Sequence, residues 1–210
     1  MAQVTSGIRA LLSRPMVYST WQSVIGAATV RRATCSYLPL RAGQKILDVG
    51  CGPAEILDLL PGTEYTGVDL NPIYIEKARQ RYGPRGRFLV GNVYTLESVI
   101  NRSFDIIMAQ SLLHHLDDDE AAEFFDFSSR KLRPGGVVLT VDPCRTEAQG
   151  PLARFLVAYD RGQNIRTSDG YEQLAKVAFP RGVRHHLRSD LMRLPYTLCY
   201  LVAAQSQAQG

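Results

Sequence analysis

A glycine-rich segment with a carboxylate just before it is the part of the sequence best suited to bind a small ligand. Gly50 and Gly52 directly follow an apolar run, Lys45–Val49, and Asp48 lies two residues before the first glycine. Glycines let a ligand approach backbone that Cβ atoms would otherwise shield. Glu55 follows soon after, and an anion at that point disfavours a diphosphate, which binds the positive end of a helix. The segment therefore favours a nucleoside ligand without phosphates.

A second carboxylate, Asp69, ends the next apolar run and could hold the sugar of such a ligand. It follows Gly50 by 19 residues, near the spacing at which an acidic residue accepts hydrogen bonds from ribose hydroxyls. This feature serves a nicotinamide dinucleotide and an S-adenosyl cofactor equally, and Asp69 could instead cap a helix that starts at Pro72. Asp48 favours the S-adenosyl cofactor over the dinucleotide, because its charge suits a ligand with an ammonium and a sulfonium.

Two adjacent histidines, His114 and His115, follow a later apolar run and are candidates for a general base. A histidine titrates near working pH and can take a proton from an attacking atom. The alternative is that one ring packs on the sheet and the other bonds an acidic neighbour such as Asp117. For His185 and His186, which lie in a late strand-like segment, we expect structural roles.

The order of apolar runs and amphipathic segments predicts the sheet that positions these residues. From residue 44 onward strands alternate with helices, which is typical of a parallel sheet with helices on both faces. We predict an α/β, Rossmann-like fold with a mostly parallel sheet of seven strands and an antiparallel last strand. Ligands of such sheets bind beyond the carboxyl ends of the strands, where the strand order reverses. The predicted strands are 45–49, 65–70, 87–90, 104–110, 137–141, 184–187 and 197–203, and the predicted helices beyond residue 44 are 54–60, 72–81, one opening at 117–120, 151–160 and 169–179.

Five motifs in this order resemble those of class I S-adenosylmethionine-dependent methyltransferases, of the type 11/25 kind. Residues 48–52 are similar to that family's first motif, 67–72 to its ribose motif and 91–93 to its adenine motif. Residues 104–116 match its fourth-strand motif, and 132–136 match the turn before strand five. The resemblance covers residues 44–142 and implies S-adenosylmethionine as the cofactor and methyl transfer as the activity, with no metal.

The resemblance also assigns site residues, with two departures from the family's pattern. Ala54 stands where a third glycine is usual, and Asn92 replaces an aspartate that contacts the adenine amino group; the amide oxygen of Asn92 can still accept. Cys51 is expected to be a small turn residue, because methyl transfer from a sulfonium needs no covalent intermediate. The predicted catalytic residues are His115 and His114, and the predicted cofactor-binding residues are Asp48, Gly50, Cys51, Gly52, Asp69, Leu70, Asn92, Val93 and Gln110.

We predict a single domain over residues 1–210, in which two segments flank the cofactor-binding core at 44–142 and form a lid over the acceptor. The N-terminal helical lid comprises residues 1–40, the helical insertion residues 143–182, and the closing strands residues 183–204. The predicted substrate-binding residues, chosen from these two lid segments, are Tyr18, Arg161 and Arg166.

Composition limits the classes of protein and of partner. Hydrophobic residues make up 45% and charged residues 21% of the chain, the balance of a globular protein. Four scattered cysteines argue against a zinc site or a disulfide framework and suit a cytoplasmic location. The first 47 residues contain six basic and no acidic residues, which could attract an anionic membrane surface through the N-terminal helices or belong to an organelle transit peptide.

The leading hypothesis is an S-adenosylmethionine-dependent methyltransferase that acts on an O, N or C atom of a small-molecule acceptor. The alternatives are a lipid-linked or glycolipid acceptor at a membrane surface, or RNA. The excess of basic over acidic residues is limited to the first helices, and the absence of a long patch with interleaved aromatic residues there argues against nucleic acid. A domain that binds the cofactor without methylating and a nicotinamide-dependent oxidoreductase are further alternatives. The sequence defines no oligomeric state.

Overall fold

One sheet of seven strands organises the part of the chain that the computed structural model describes, residues 26–100, 103–158, 160 and 162–204. The strands are β1 (Lys45–Val49), β2 (Glu64–Asp69), β3 (Gly86–Val90), β4 (Phe104–Gln110), β5 (Leu132–Pro143), β6 (Val183–Arg188) and β7 (Leu198–Ala204), and the helices are α1 (Ala27–Ser36), α2 (Pro72–Tyr82), α3 (Asp118–Lys131), α4 (Pro151–Ala158) and α5 (Ser168–Ala178). The strand order is β3-β2-β1-β4-β5-β7-β6. Strands β1 to β5 pair in parallel, and β7 is antiparallel to both of its neighbours. The predicted fold class is confirmed.

The central strands are apolar on both faces because helices cover both sides of the sheet. Ile46 and Leu47 of β1 are adjacent, point to opposite faces and are both fully buried. Leu47 belongs to a core cluster with Phe124 of α3 and Tyr171 of α5. Ile46 belongs to a second cluster with Ile75 of α2, against which α1 also packs. The sheet is therefore buried between two helical layers.

The starts of α2 and α3 are fixed by side-chain caps. The Asn71 carboxamide oxygen accepts from the Ile73 N–H at 2.9 Å, with Pro72 in the first turn of α2. Asp117 accepts from the Glu120 N–H at 2.9 Å, and Glu120 accepts from the Asp117 N–H at 3.2 Å, which together form a capping box. The predicted opening of α3 is confirmed, and the Asp117 carboxylate caps this helix.

Three predicted elements differ from the structure in type or by more than one residue. Strand β5 was expected at 137–141 but begins at Leu132, which pairs with Phe104 before the register shifts. The expected helix at 54–60 is a short 3-10 segment, Glu55–Leu59, preceded by Ala54 in a left-handed conformation with φ 57°. A third glycine in this motif would adopt that φ without strain, whereas an alanine is strained there. Helix α4 ends at Ala158 rather than at residue 160.

Candidate functional site

The predicted site residues meet at one edge of the sheet, where the parallel strands end. Asp69 ends β2, Gly50 follows β1, Gln110 ends β4 and Asp142 lies at the end of β5. Because these strands are neighbours in the order β2-β1-β4-β5, their carboxyl ends lie side by side. The strand order reverses between β1 and β4, which is the position at which such sheets bind ligands.

The turn after β1 leaves part of its backbone open. The N–H groups of Gly50 and Cys51 donate to the Val68 carbonyl at 2.8 and 3.1 Å, which ties the turn to β2. Gly50 has φ 73°, and a Cβ placed there would lie 3.3 Å from Leu112 Cδ1. A Cβ at Gly52 would meet nothing within 4 Å. Gly50 is therefore needed for the chain path, and Gly52 is where a ligand can approach the backbone.

Asp69 is held beside this turn by two backbone donors. Its Oδ2 accepts from the Gly52 N–H and its Oδ1 from the Asn71 N–H, both at 2.8 Å. Each oxygen retains a second lone pair for a ligand hydroxyl. Burial raises the pKa of the Asp69 carboxyl, although both N–H groups favour its charged form. Helix α2 is capped by Asn71, so the Asp69 carboxylate is left to face the turn.

Asp48 is a buried carboxylate, and one of its oxygens has no hydrogen-bond partner among the described residues. It is 1% exposed, and its Oδ2 accepts from the Tyr65 hydroxyl at 2.6 Å. No described residue donates to its Oδ1. Burial raises the pKa of Asp48 to about 7, and the charge of Asp69 adds to this, while the Tyr65 hydrogen bond opposes it. A buried oxygen without a hydrogen-bond donor destabilises the folded protein. The ammonium of an aminoacyl ligand could donate to it.

The other predicted cofactor residues lie at the same edge in different environments. The Asn92 carboxamide oxygen accepts from the Tyr94 N–H at 3.0 Å and so holds the turn after β3, with one lone pair left for adenine. Val93 is 4% exposed and belongs to the core, whereas Leu70 is 50% exposed. Gln110 lies at the end of β4 and is partly buried.

Cys51 has the environment of a turn residue. Its thiol donates to the Gly52 carbonyl at 3.4 Å. Burial raises the pKa of the Cys51 thiol well above its usual value, and the charges of Asp48 and Asp69 raise it further. The side chain therefore remains a neutral thiol, which is a poor nucleophile.

Helix α1 contacts both the segment after the glycine turn and the end of β4. Arg31 forms an ion pair with Glu55, at 2.8 Å, just beyond the glycine turn. The Thr34 hydroxyl donates to the Gln110 carboxamide oxygen at 3.1 Å. Glu55, which disfavours a diphosphate in the sequence, thus contacts α1, which belongs to the segment predicted as an N-terminal lid. The predicted substrate residue Tyr18 lies outside the described residues.

The two histidines follow β4 on a 3-10 turn, Leu113–His115, and differ in exposure. His114 is 4% exposed, and its Nδ1 lies 2.8 Å from Oδ1 of the buried Asp142. His115 is exposed, with its ring centroid 4.1 Å from that of His114. Of the two, His115 is the one that an acceptor can reach. No cluster of three or more metal-binding side chains occurs among residues 26–100, 103–158, 160 and 162–204.

The segment after α4 covers the His114 ring. The Asn164 N–H donates to the His114 carbonyl at 3.0 Å, and a Cβ added at Gly162 would overlap the His114 ring. Asp160 Oδ1 lies 3.7 Å from His114 Nε2, and Asp160 Oδ2 accepts from the Tyr196 hydroxyl at 3.1 Å. His114 is therefore enclosed by Asp142 at the end of β5 and by Asp160, Gly162 and Asn164 after α4. Asp142 and Asp160 are not among the catalytic, cofactor-binding or substrate-binding residues predicted above.

Arg166, a predicted substrate residue, directs its guanidinium into the protein. Nε and Nη2 donate to Asp118 Oδ1 at 2.9 and 2.7 Å. Nη1 donates to the Leu113 and Asn164 carbonyls at 3.0 and 3.1 Å, and Nη2 donates to the Leu116 carbonyl at 2.9 Å. The other predicted substrate residue of this region, Arg161, lies outside the described residues.

The chain is similar in sequence to known methyltransferases. Residues 46–136 match the family described as a methyltransferase domain. The chain is 36% identical over 155 residues to phosphoethanolamine N-methyltransferase 1 of Triticum aestivum, covering 67% of this chain and 29% of that protein. It is 29% identical over 165 residues to trans-aconitate 2-methyltransferase of Paracidovorax citrulli (strain AAC00-1), covering 70% of this chain and 62% of that protein. The chain spans about a third of the length of the plant relatives.

A solved structure shares the fold over nearly the whole chain. The plantazolicin methyltransferase BamL, in complex with a triazolic desmethylPZN analog and SAH, superposes with a TM-score of 0.69 and covers 94% of both chains at 16% identity. At this identity the likeness concerns the fold alone.

Proposed function

Because the chain carries a class I S-adenosylmethionine-dependent methyltransferase domain, we propose that it transfers a methyl group from this cofactor to an O, N or C atom of a small-molecule acceptor. One observation carries the proposal: two carboxylates, Asp48 and Asp69, flank an open glycine turn, and their negative charge disfavours a diphosphate. An uncharged adenosine joined to a cationic amino acid fits this distribution of charge.

Different residues at this edge of the sheet would bind different parts of the cofactor. The Asp69 oxygens would accept from the ribose hydroxyls, the Asn92 carboxamide from the adenine amino group, and Asp48 Oδ1 from the ammonium. The bound cofactor supplies a methyl group on a positively charged sulfur. The task of the chain is then to hold the acceptor atom in line with that group, and orientation of this kind supplies much of the acceleration.

His115 is the residue that we propose as general base. It is exposed at the end of β4, next to the cofactor edge, and its neighbour His114 is fixed by Asp142. A base is needed only where the attacking atom must lose a proton, as with a hydroxyl or a protonated amine. His115→Gln should then lower kcat for such acceptors and leave the affinity for cofactor unchanged.

The relatives suggest which acceptors to test. By their names they act on phosphoethanolamine, trans-aconitate, squalene and 27-O-demethylrifamycin SV. These are all small molecules, two of them anionic and one fully apolar, so the family resemblance favours a small acceptor without selecting one. Transfer of a radiolabelled methyl group from S-adenosylmethionine to each of the four compounds, and then to pooled metabolites, would identify the acceptor class.

Binding of S-adenosylhomocysteine, measured by calorimetry, tests the proposal without knowledge of the acceptor. We expect wild type to bind it and Asp69→Asn to bind it about tenfold more weakly or worse, because a charged hydrogen-bond acceptor contributes about 1.5–3 kcal/mol. Asp126→Asn is the matched control, since Asp126 is an exposed carboxylate on α3 paired with Arg130. If wild type gives no heat, or if the two variants bind equally well, the proposal is refuted.

A lipid-linked acceptor at a membrane surface is the second candidate, because α4 presents apolar side chains to solvent. Leu152 and Phe155 are 61% and 56% exposed and lie one helical turn apart. None of the helices in the described ranges is long and apolar enough to cross a bilayer. Flotation with anionic liposomes should weaken in the Leu152→Ser, Phe155→Ser double variant. It should be unchanged in Val177→Ser, which alters an exposed valine on α5; equal flotation of both variants would remove this candidate.

A further inference from the structure

We propose that Arg166 is a positioning residue that fixes the Leu113–His115 turn, and with it the His115 imidazole, at the acceptor side of the site. The inference rests on the proposed function, in which His115 is the general base. It assigns Arg166 a different role from the substrate contact predicted from the sequence.

The hydrogen bonds of the guanidinium carry the argument. An arginine has five N–H donors in a rigid planar fork, and Arg166 makes five hydrogen bonds to Asp118, Leu113, Asn164 and Leu116. Its side chain is 11% exposed. No donor is left over for an anionic acceptor, so the geometry points to a role inside the protein.

Besides Asp118, the partners of Arg166 are the two ends of one turn and the segment that covers it. The Leu113 and Leu116 carbonyls bracket His114 and His115, and both accept from the same guanidinium at 3.0 and 2.9 Å. The Asn164 carbonyl accepts at 3.1 Å, while the Asn164 N–H bonds the His114 carbonyl. One planar group thus sets the distance between the turn and its cover.

The turn needs such support because it starts from an unfavourable backbone conformation. Ser111 has φ 53°, a left-handed value that a serine rarely adopts. From there the chain is held by the Ser111 N–H on the Val141 carbonyl at 2.7 Å and by His114 on Asp142. Arg166 holds the far end. His115 lies between these attachments, so loss of the guanidinium releases it on one side.

Arg166 is itself rigid, which a positioning residue requires. Its backbone N–H donates to the Tyr171 hydroxyl at 3.5 Å, and its carbonyl accepts from the Arg145 N–H at 3.0 Å. Its guanidinium carbon lies 5.7 Å from the centre of the Tyr171 ring. Tyr171 is 1% exposed and donates to the Pro143 carbonyl at 3.0 Å, at the end of β5. Arg166 is therefore anchored to the sheet through Tyr171.

Histidine NMR on the full chain tests this without an identified acceptor. The chain has four histidines, so ¹³Cε1-labelled protein saturated with S-adenosylhomocysteine gives four signals, assigned with single His→Gln variants. In Arg166→Lys, a lysine keeps the charge but cannot reach three carbonyls in a plane. We expect the His115 and His114 signals to shift or broaden, and the His185 and His186 signals on β6 to stay in place.

Two further variants complete the test. Arg85→Lys is the control, because the Arg85 guanidinium donates to the Leu57 carbonyl at 2.8 Å at the opposite edge of the sheet. It should leave all four signals unchanged. Asp118→Ala removes two of the five hydrogen bonds of Arg166 and should move the His115 signal by a smaller amount. This variant decides the matter if Arg166→Lys does not fold.

The outcomes separate this inference from the proposed function. An unchanged His115 signal in the folded variants, or equal changes in all four signals, overturns the inference while leaving cofactor binding intact. Loss of S-adenosylhomocysteine binding in wild type overturns the proposed function instead. With any panel compound that is methylated, Arg166→Lys should lower kcat about tenfold or more, since small displacements of a reacting group are costly. The KM for S-adenosylmethionine should stay within about twofold of wild type, because no cofactor contact is altered.

Discussion

Replacing Asp48 by asparagine should stabilise the ligand-free protein and lower its affinity for the cofactor. Asp48 is 1% exposed, and Tyr65 is its only hydrogen-bond donor among the described residues. An amide of the same shape keeps an acceptor oxygen for Tyr65 and removes the buried charge. The cost of that charge in the absence of ligand is therefore the quantity that the substitution measures.

The pKa of Asp48 sets the size and the sign of the effect. Burial raises this pKa from the ordinary value of 3.8 to about 7. Between these two values the folded protein binds a proton that the unfolded chain has released, so the free energy of unfolding falls as the pH rises through this window. The gap corresponds to at most about 4 kcal/mol above pH 7. The asparagine variant lacks this loss.

Urea unfolding of wild type and Asp48→Asn from about pH 4 to about pH 8 provides the assay. The difference between the two proteins cancels the other carboxylates that titrate in the same range. We expect the two proteins to differ most above pH 7, with the variant the more stable, and to converge towards pH 4. A difference that is constant across this range would refute the assignment of a raised pKa to Asp48.

Cofactor binding should instead favour a charged carboxylate at position 48 over a neutral side chain. The ammonium of S-adenosylhomocysteine favours the charged carboxylate and so lowers the pKa of Asp48 in the complex. Binding below pH 7 should then release part of a proton, visible as a dependence of the calorimetric enthalpy on the buffer's ionisation enthalpy. Asp48→Asn should bind more weakly and release no proton from this site.

Two further substitutions test the glycine turn and the enclosed histidine. Gly50→Ala should lower the free energy of unfolding by about 1–2 kcal/mol and weaken S-adenosylhomocysteine binding, because Gly50 has φ 73° and a Cβ would lie 3.3 Å from Leu112. Gly43→Ala, with φ 79° and open space around it, should cost stability alone, and equal binding by both variants would contradict the argument. His114→Gln removes the ring partner of the buried Asp142 and should cost about 1–3 kcal/mol in urea unfolding; an unchanged midpoint would count against the buried pair.

The sheet could be predicted because its signals are local. The predicted bounds of β1 and β4, Lys45–Val49 and Phe104–Gln110, coincide with those observed. Both strands are short apolar runs, and a strand between two helical layers must be apolar on both faces. The start of β5 was missed because Pro134 and Gly135 resemble a turn, whereas the pairing of Leu132 with Phe104 is set by the sheet.

The partners within the site could not be predicted, because strand register brings them together. Ile46 lies opposite Tyr65, and Asp48 lies opposite Gly67. Residues two apart on a strand share a face, so Tyr65 and Asp48 lie on the same face of the sheet, and Gly67 adds no side chain between them. The one available signal was a tyrosine within an apolar strand, whose buried hydroxyl needs a partner.

Arg166 shows the same limit on the acceptor side. In the sequence it is one of several charges near a helix start, where a contact with an anionic acceptor is a reasonable prediction. Which backbone carbonyls a guanidinium can reach depends on how the turn at Leu113–His115 and the segment around Asn164 fold against each other. These segments are about fifty residues apart, as the separation between Arg166 and Leu113 shows.

The two sides of the site are built by different means, and this difference has a functional consequence. The proposed cofactor side depends on backbone N–H groups and glycine conformations around Asp69, all within residues 48–92. The proposed acceptor side depends on side chains from distant segments, His114, Asp142, Asp160 and Arg166 among them. Leu112 is the residue at which the two sides meet, since it lies beside Gly50 and directly before the Leu113–His115 turn; apart from this contact, we expect the two sides to respond separately to substitution. Variants of the first group should alter S-adenosylhomocysteine affinity, and variants of the second group should alter turnover at unchanged affinity. If His115→Gln or Arg166→Lys weakened cofactor binding as strongly as Asp69→Asn, the two sides would form a single unit and this division would be incorrect.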